Sequence, residues 1–335
     1  MANVDIPVAD SVLRSEAVSP SHCVDDSELW FNDGTLVFVT ATSRFRIYSG
    51  LLAKESPIFR DMLALPQPED AETMDGCPVV RLPDDGRDVG YFLKALFDYK
   101  FFLPFPTRTN FDILSGIIRL SKKYEVDPLY KRALDHLASR FPLSLSDYPG
   151  RRPSWDMSGQ ETRAVLLARE LALDWILPVA FYRVCANSTI KHILNGVYVN
   201  NERVELDPSD KQTVLEQYTL LRGPASADMV DFLWNPLNIQ WCSKKNCTSY
   251  RFERRKEAEG RRSQGILPLT LWVEKDWERL DVCSACLTAM KASHRTSLER
   301  FWNGLPQRFG LPTWDELREM REGALHVVRN PPEGL

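Results

Sequence analysis

The sequence predicts an α+β fold, in which a small sheet with its helices occupies about residues 28–141 and further helices come after it. Two observations predict this class. Large apolar residues alternate at period two on both sides of residues 41–43, the pattern of a two-stranded hairpin with one buried face. From residue 89 onwards, apolar residues recur three and four positions apart, which is typical of amphipathic helices.

The predicted strands come first along the chain. Leu36 and Phe38 precede the turn, and Phe45 and Ile47 follow it, so these four side chains share the buried face of the hairpin. A third short strand is predicted at residues 77–82, ahead of an Asp-Asp turn.

The predicted helices carry recognisable start signals. Ser56 followed by Pro57 is an N-cap with proline at the first helical position. We expect this helix to place Phe59 in the core, together with Leu51 from the segment before it. Three later helices have apolar faces formed by Val89, Phe92, Leu93, Leu96 and Phe97, then by Phe111, Leu114, Ile117 and Ile118, and then by Leu129, Ala133, Leu134 and Leu137.

This order of elements resembles the BTB/POZ domain over about residues 28–141. The resemblance is carried by the spacing of Phe45, Ile47, Leu51, Ser56 and Phe59. Residues 120–126 resemble the turn that family members carry at this place, whereas Tyr48 stands where many members have histidine. The resemblance implies an assembly module rather than a catalyst.

The resemblance also implies partners. BTB domains commonly dimerise through the first helix and its neighbourhood, which suggests a homodimer and an interaction region containing Gly50, Leu51, Leu52, Ser56 and Phe59. Many members are substrate adaptors of cullin-type ubiquitin ligases, and these often carry a hydrophobic-x-Glu element after the second helix. Residues 62–69 contain two prolines and no clean match to that element, so a scaffold for protein partners is the first hypothesis and the adaptor is an alternative.

Composition narrows the classes of function. The chain has 335 residues and a net charge of −4, which gives no overall attraction to nucleic acid or to a membrane surface. It has no apolar run of 18 residues and no signal-peptide pattern, so we expect a cytoplasmic or nuclear protein with reduced cysteines. The sequence lacks a glycine-rich phosphate loop, a Gly-x-Ser-x-Gly elbow and a His-Glu-x-x-His helix, and we expect no enzymatic activity.

Local composition divides the chain further. Residues 1–33 hold seven acids against one base, and the stretch before residue 160 is rich in proline and glycine. Ser158 and Glu161 form a capping-box pattern ahead of renewed helices. The predicted stretches are a disordered acidic tail (1–27), the BTB-like domain (28–141), a linker (142–159), an all-helical extension (160–225) and a C-terminal helical region with paired cysteines (226–335).

Two cysteine pairs in the last third form the one candidate metal site. Cys242 and Cys247 are separated by four residues, and Cys283 and Cys286 by two. Two close pairs are the usual way in which a chain supplies the four soft ligands of a structural zinc. Buried or free thiols are the alternative. His294 lies eight residues beyond Cys286, about 12 Å along a helix, so we expect it to be a packed residue rather than a ligand.

A basic stretch runs between the two pairs. Residues 244–262 contain eight bases and three acids, a net charge of +5. A nuclear regulator that binds DNA through this region is the third hypothesis for function. Interleaved Glu and Arg at helical spacing are, however, more typical of a solvated helix with internal ion pairs, and we therefore expect no nucleic-acid binding.

The end of the chain carries a further resemblance. Thr313 and Glu316 form a capping box for a last helix, after the stretch Phe309-Gly310-Leu311. Together with the cysteine pairs, this tail resembles that of the many BTB proteins of mushroom-forming fungi.

Overall fold

A computed structural model of the chain describes residues 23–66, 70–148, 160–233, 239 and 241–326. The described residues form two compact units: those between 23 and 102 with Leu120–Val126, and those of Leu103–Arg119 with the described part of 127–326. This division differs from the boundary at residue 141 that the sequence suggested, because residues 103–119 and 127–141 group with the helices that follow. The predicted α+β class is confirmed.

A five-stranded sheet forms the centre of the first unit, in the order β1-β3-β2-β5-β4. Its elements are β1 (Val24–Trp30), β2 (Leu36–Val39), β3 (Ser43–Ile47), α1 (Ser49–Glu55), α2 (Pro57–Ala64), β4 (Thr73–Met74), β5 (Cys77–Arg81) and α3 (Gly86–Phe97). The predicted hairpin is confirmed, since β2 and β3 are antiparallel and pair Leu36 with Ile47 and Phe38 with Phe45. The predicted third strand is β5, which lies parallel to β2.

Aromatic side chains fill the core of this unit. Phe45, Phe59 and Phe92 are buried as predicted. The ring of Phe59 lies 4.2 Å from that of Tyr124 and 5.3 Å from that of Phe38, centroid to centroid.

The prediction that Leu51 belongs to the core is wrong. Leu51 is 38% exposed. Leu52 is the buried residue of α1 instead. Because consecutive helical residues lie about 100° apart around the axis, burying Leu52 turns Leu51 outwards.

Ser56 connects the start of α2 to residues 120–126. As predicted, it is the N-cap, and its Oγ accepts a hydrogen bond from the Phe59 amide at 3.1 Å. The same hydroxyl donates to the Tyr124 carbonyl at 2.6 Å, and the residue is fully buried. One side chain therefore satisfies a helix end and a carbonyl 68 residues away in sequence.

The acidic stretch at the beginning of the described chain is part of the fold. The sequence assigned residues 1–27 to a disordered tail, but β1 begins at Val24 and runs parallel to β3. Asp25 pairs with Arg44 at 2.7 Å, and Asp26 lies 3.6 Å from the Lys94 ammonium. These acids are therefore partners of bases in the same unit, and the rest of the predicted tail, residues 1–22, lies outside the described residues.

Helices dominate the second unit. They are α4 (Phe111–Lys123), which ends in the first unit, α5 (Asp127–Arg140), α6 (Glu161–Leu171), α7 (Leu177–Asn187), α8 (Ile190–Asn195), α9 (Pro208–Arg222), α10 (Pro224–Ala227), α11 (Cys247–Ser263), α12 (Pro268–Leu271), α13 (Glu274–Glu278), α14 (Ser284–Asn303), α15 (Leu305–Arg308) and α16 (Trp314–His326). Short 3-10 turns occur at Leu145–Asp147, Asp174–Ile176 and Asp228–Leu233. Leu114, Ile117 and Leu134 are buried as predicted. Among the helices of the described residues, none is long and apolar enough to cross a membrane.

Side chains cap further helix ends, and the cap at Thr313 agrees with the sequence. Asn110 Oδ1 accepts from the Ile113 amide at 2.9 Å, and the Thr313 amide donates to the Glu316 carboxylate at 2.7 Å. Helix α6 begins at Glu161, but Ser158 of its predicted capping box lies outside the described residues, as do residues 149–159 of the predicted linker. Residues 67–69 of the stretch considered for cullin binding are also outside them.

The extension after residue 160 is not all-helical, which corrects another prediction. Strands β6 (Val197–Val199) and β7 (Glu202–Val204) form an antiparallel pair. Asn200 and Asn201 join them with φ angles of 51° and 65°. Two central residues with positive φ match the twist of a hairpin, and asparagine tolerates this conformation better than most residues. The Val-Tyr-Val-Asn-Asn stretch was the signal that the helical prediction overlooked.

We expect Ser56→Ala to lower the free energy of unfolding by about 1–3 kcal/mol, because it removes a cap and leaves the buried Tyr124 carbonyl without its donor. Urea unfolding followed by circular dichroism measures the change. Asp61→Ala is the matched control, since its exposed ion pair with Arg60 in the same helix is worth little. Equal stability of both variants would contradict the role of Ser56.

Candidate metal centre

Three segments of the second unit bring four cysteines together. Cys242 lies in the loop before α11, and Cys247 is the first residue of that helix. Cys283 is the N-cap residue of α14, and Cys286 lies in its first turn. The four sulfur atoms all lie within 4.8 Å of one another, so the predicted convergence of the two pairs is confirmed.

The spacing of the sulfurs suits a tetrahedral ion. Cys242 Sγ lies 3.5 Å from Cys286 Sγ and 4.0 Å from Cys283 Sγ. Four zinc–sulfur bonds of about 2.3 Å at tetrahedral angles place the sulfurs about 3.8 Å apart. All seven cysteines of the chain are free thiols, so none of these four is committed to a disulfide.

Backbone geometry explains how each pair is presented. The Cys247 amide donates to the Lys244 carbonyl at 3.4 Å, which closes the turn between the first two cysteines. At the other pair, the Leu287 amide donates to the Cys283 carbonyl at 2.9 Å as α14 begins. Only Ile239, Val282 and Ala285 among the described residues pack against the buried cysteines as partly buried apolar neighbours.

Backbone amides and burial shift the pKa values of the thiols in different directions. Hydrogen bonds from the amides of Cys286 and Ser243 lower the pKa of the Cys283 thiol to about 5. Burial among the other sulfurs raises the pKa of Cys247 and of Cys286. A metal ion would displace the protons of the thiols and hold all four sulfurs as thiolates.

His294 lies outside the cluster, as the sequence predicted. It is buried, with its ring 5.1 Å from that of Phe232 and 5.5 Å from that of Trp277. Its Nε2 atom has no hydrogen-bond partner among the described residues. Burial lowers the pKa of His294 to about 4, so the ring is neutral at pH 7.

The basic stretch forms the ion-paired helix that the sequence favoured. Arg254 pairs with Glu257 in α11, one turn further along the helix. Arg255 contacts Glu259 at 2.8 Å, and Arg261 contacts the Asp276 carboxylate at 2.7 Å. Much of the local positive charge is therefore matched by acids within the unit.

The residues predicted for an interaction surface divide into two groups. Leu52, Ser56 and Phe59 are buried inside the first unit, where they position α1 and α2. Gly50 and Leu51 are exposed.

Two further exposed apolar side chains, which follow Gly50 and Leu51 along the chain, were not predicted. Ile58 is 39% exposed and Leu65 is 64% exposed. Leu51 lies in α1, Ile58 in α2 and Leu65 at the C-cap of α2, so no single helical repeat relates them and the sequence carries no signal that marks all three.

We expect stability to fall as the pH decreases from 6.5 towards 4, because the unfolded chain binds a proton at His294 more readily than the folded chain does. Between pH 7 and pH 5 the loss from this group is about 2 kcal/mol. His294→Phe should remove this part of the pH dependence, measured as unfolding free energy at the two pH values. His192→Gln, at an exposed histidine, should keep it, and an unchanged pH dependence in His294→Phe would contradict the assignment.

No protein-family model, no curated protein and no solved structure matches this chain. Its function must therefore be inferred from its own residues and their geometry.

Proposed function

We propose that this chain is a non-catalytic protein-interaction scaffold of the BTB type, which self-associates through α1 and α2 and carries one structural zinc in its second unit. The observation that carries the proposal is that each of the two short helices leaves an apolar side chain exposed, Leu51 in α1 and Ile58 in α2. Leu51 and Ile58 are each next in sequence to a fully buried anchor, Leu52 and Phe59. The core thus fixes both helices while apolar side chains remain in solvent.

Exposed apolar side chains on a fixed element favour association. Apolar surface left in water is an aggregation liability, and a second copy of the chain would cover it. Burying a leucine or isoleucine side chain fully contributes about 1.5–3 kcal/mol. Leu51, Ile58 and Leu65 supply such side chains on both protomers of a symmetric dimer.

The order of elements supports the BTB resemblance. An antiparallel hairpin is followed by two short helices, the second capped by Ser56, and then by strands β4 and β5 and the amphipathic helix α3. Apart from β4, this is the order on which the resemblance rests.

The chemistry of the cysteine cluster supports zinc. Thiolates are soft ligands that zinc binds strongly, and four of them leave no open coordination position. Cys242, Cys247, Cys283 and Cys286 would hold the ion, which would supply a bridge between the loop and the starts of α11 and α14. Such a site stabilises the fold and has no position for a substrate.

For self-association, we expect the full-length chain to sediment as a dimer at tens of micromolar. Leu51→Glu combined with Ile58→Glu should raise the dissociation constant at least about tenfold, because it places charges in the apolar contact. Tyr99→Glu is the matched control, since Tyr99 is 76% exposed elsewhere in the same unit.

A monomeric wild-type chain at these concentrations would contradict self-association. A dimer that the double substitution leaves intact would instead contradict its location on α1 and α2.

For the metal, we expect purified protein to contain about one zinc per chain, measured by elemental mass spectrometry. Cys286→Ser should lower the zinc content and the thermal stability of the second unit, because it removes one of the four ligands. Cys23→Ser, at a half-buried cysteine of the first unit, should leave the zinc content unchanged.

Protein that carries no zinc, and that does not take it up from a buffered zinc solution, would contradict the site. Loss of zinc in Cys23→Ser as well would show that the ion is not held by these four residues.

A further inference from the structure

The four cysteines of the cluster differ in their access to solvent. Cys242 is exposed, whereas Cys247, Cys283 and Cys286 are 2%, 8% and 2% exposed. A small oxidant diffusing in water therefore meets the sulfur of Cys242 first, and thiolate character with exposure is what makes a cysteine oxidisable.

The distances from Cys242 Sγ to the neighbouring sulfurs determine which disulfide an oxidised Cys242 forms. Its Sγ lies 3.5 Å from Cys286 Sγ and 4.0 Å from Cys283 Sγ. A disulfide has a length of about 2.05 Å, so of these two sulfurs Cys286 needs the smaller movement to form one. The loop that carries Cys242 consists of exposed residues from 241 to 246, so few packing contacts oppose that movement.

The cysteines outside the cluster have other partners. The Cys77 thiol donates to the Gly34 carbonyl, and the Cys185 thiol lies 3.6 Å from the Val214 carbonyl. Both residues are buried. Cys23, which is partly exposed, donates to the Thr40 carbonyl.

We propose that Cys242 is an oxidation site and that hydrogen peroxide converts Cys242 and Cys286 into a disulfide, with release of the metal. This inference rests on the proposed zinc site for the metal it releases. The pairing of the two sulfurs rests on the distances and exposures alone.

Atoms and electrons balance in two steps. The Cys242 thiolate attacks one peroxide oxygen; the S–O bond forms, the O–O bond breaks, and the departing hydroxide takes up a proton to become water. The Cys286 thiolate then attacks Cys242 Sγ; the S–S bond forms, the S–O bond breaks, and a second hydroxide leaves and is protonated. The two sulfurs together lose two electrons, and the peroxide gains them.

Oxidation changes which segments are tied together. The zinc joins the loop, the start of α11 and the start of α14, whereas the disulfide joins only the loop and α14. Cys247 and Cys283 alone are too few ligands to retain zinc in a four-thiolate site. The far end of α11 stays anchored, because Arg261 keeps its contacts with Asp276, so the expected opening is confined to the start of that helix.

Lys244 and Lys245 make this opening measurable, because trypsin cleaves after lysine and both residues lie in the loop between Cys242 and Cys247. The experiment treats zinc-loaded full-length protein with hydrogen peroxide. Zinc release is followed with a chromogenic chelator, disulfides are mapped by peptide mass spectrometry, and limited trypsin digestion reports on the loop.

The expected result is a Cys242–Cys286 disulfide that appears together with zinc release, faster trypsin cleavage after Lys244 or Lys245, and reversal of all three by a thiol reductant with added zinc. Cys242→Ser should not form this disulfide. Cys23→Ser is the matched control and should behave like the wild type.

A disulfide that maps to Cys283 and Cys286, or zinc release without any bond to Cys242, would overturn the inference. Protein that never contains zinc would contradict the proposed metal site instead. Peroxide treatment of that metal-free protein would still decide whether Cys242 pairs with Cys286.

Discussion

The position of residues 241–246 depends on a single constraint. The sulfur atoms of Cys242, Cys247, Cys283 and Cys286, which come from three segments, lie within 4.8 Å of one another. Every residue from 241 to 246 is exposed, so this loop has almost no apolar anchor of its own. Its ion pair between Lys244 and Asp281 is half-exposed and contributes little in water. The sulfur of Cys242 is therefore the main contact that holds the loop against the starts of α11 and α14, and the proposed zinc would strengthen that contact.

Ser56 has a comparable role in the first unit, with oxygen in place of sulfur. Its hydroxyl ties the start of α2 to the carbonyl of Tyr124, and the stacked rings of Phe59 and Tyr124 pack beside it. This fixed attachment is what allows α1 and α2 to keep Leu51 and Ile58 in solvent without unfolding. A rigid element with an exposed apolar face is a physical requirement for the proposed scaffold.

Sequence patterns predicted most of the local structure because each depends on neighbouring residues. Period-two alternation identified the β2–β3 hairpin, and the Ser56-Pro57 pair identified the start of α2. The convergence of the cysteine pairs could also be predicted, since two close pairs are the usual way in which a chain supplies four thiolate ligands.

Features that depend on contacts between residues far apart in sequence were harder to predict. The acids at 25 and 26 resembled a solvated tail until Arg44 and Lys94 were seen to face them. Leu51 and Leu52 are equally apolar, and only the direction of the core decides which of them is buried. The grouping of residues 120–126 with the first unit depends on contacts with Ser56 and Asp84, far away in sequence.

The central claim is that Cys242, Cys247, Cys283 and Cys286 together hold one zinc ion. X-ray absorption spectroscopy at the zinc edge of the purified full-length protein tests it most directly, because it reports the identity and distance of the ligand atoms. Four sulfur neighbours at about 2.3 Å, with no nitrogen or oxygen in the first coordination shell, is the result that the structure predicts. A shell that contains nitrogen or oxygen, or fewer than four sulfurs, would contradict it.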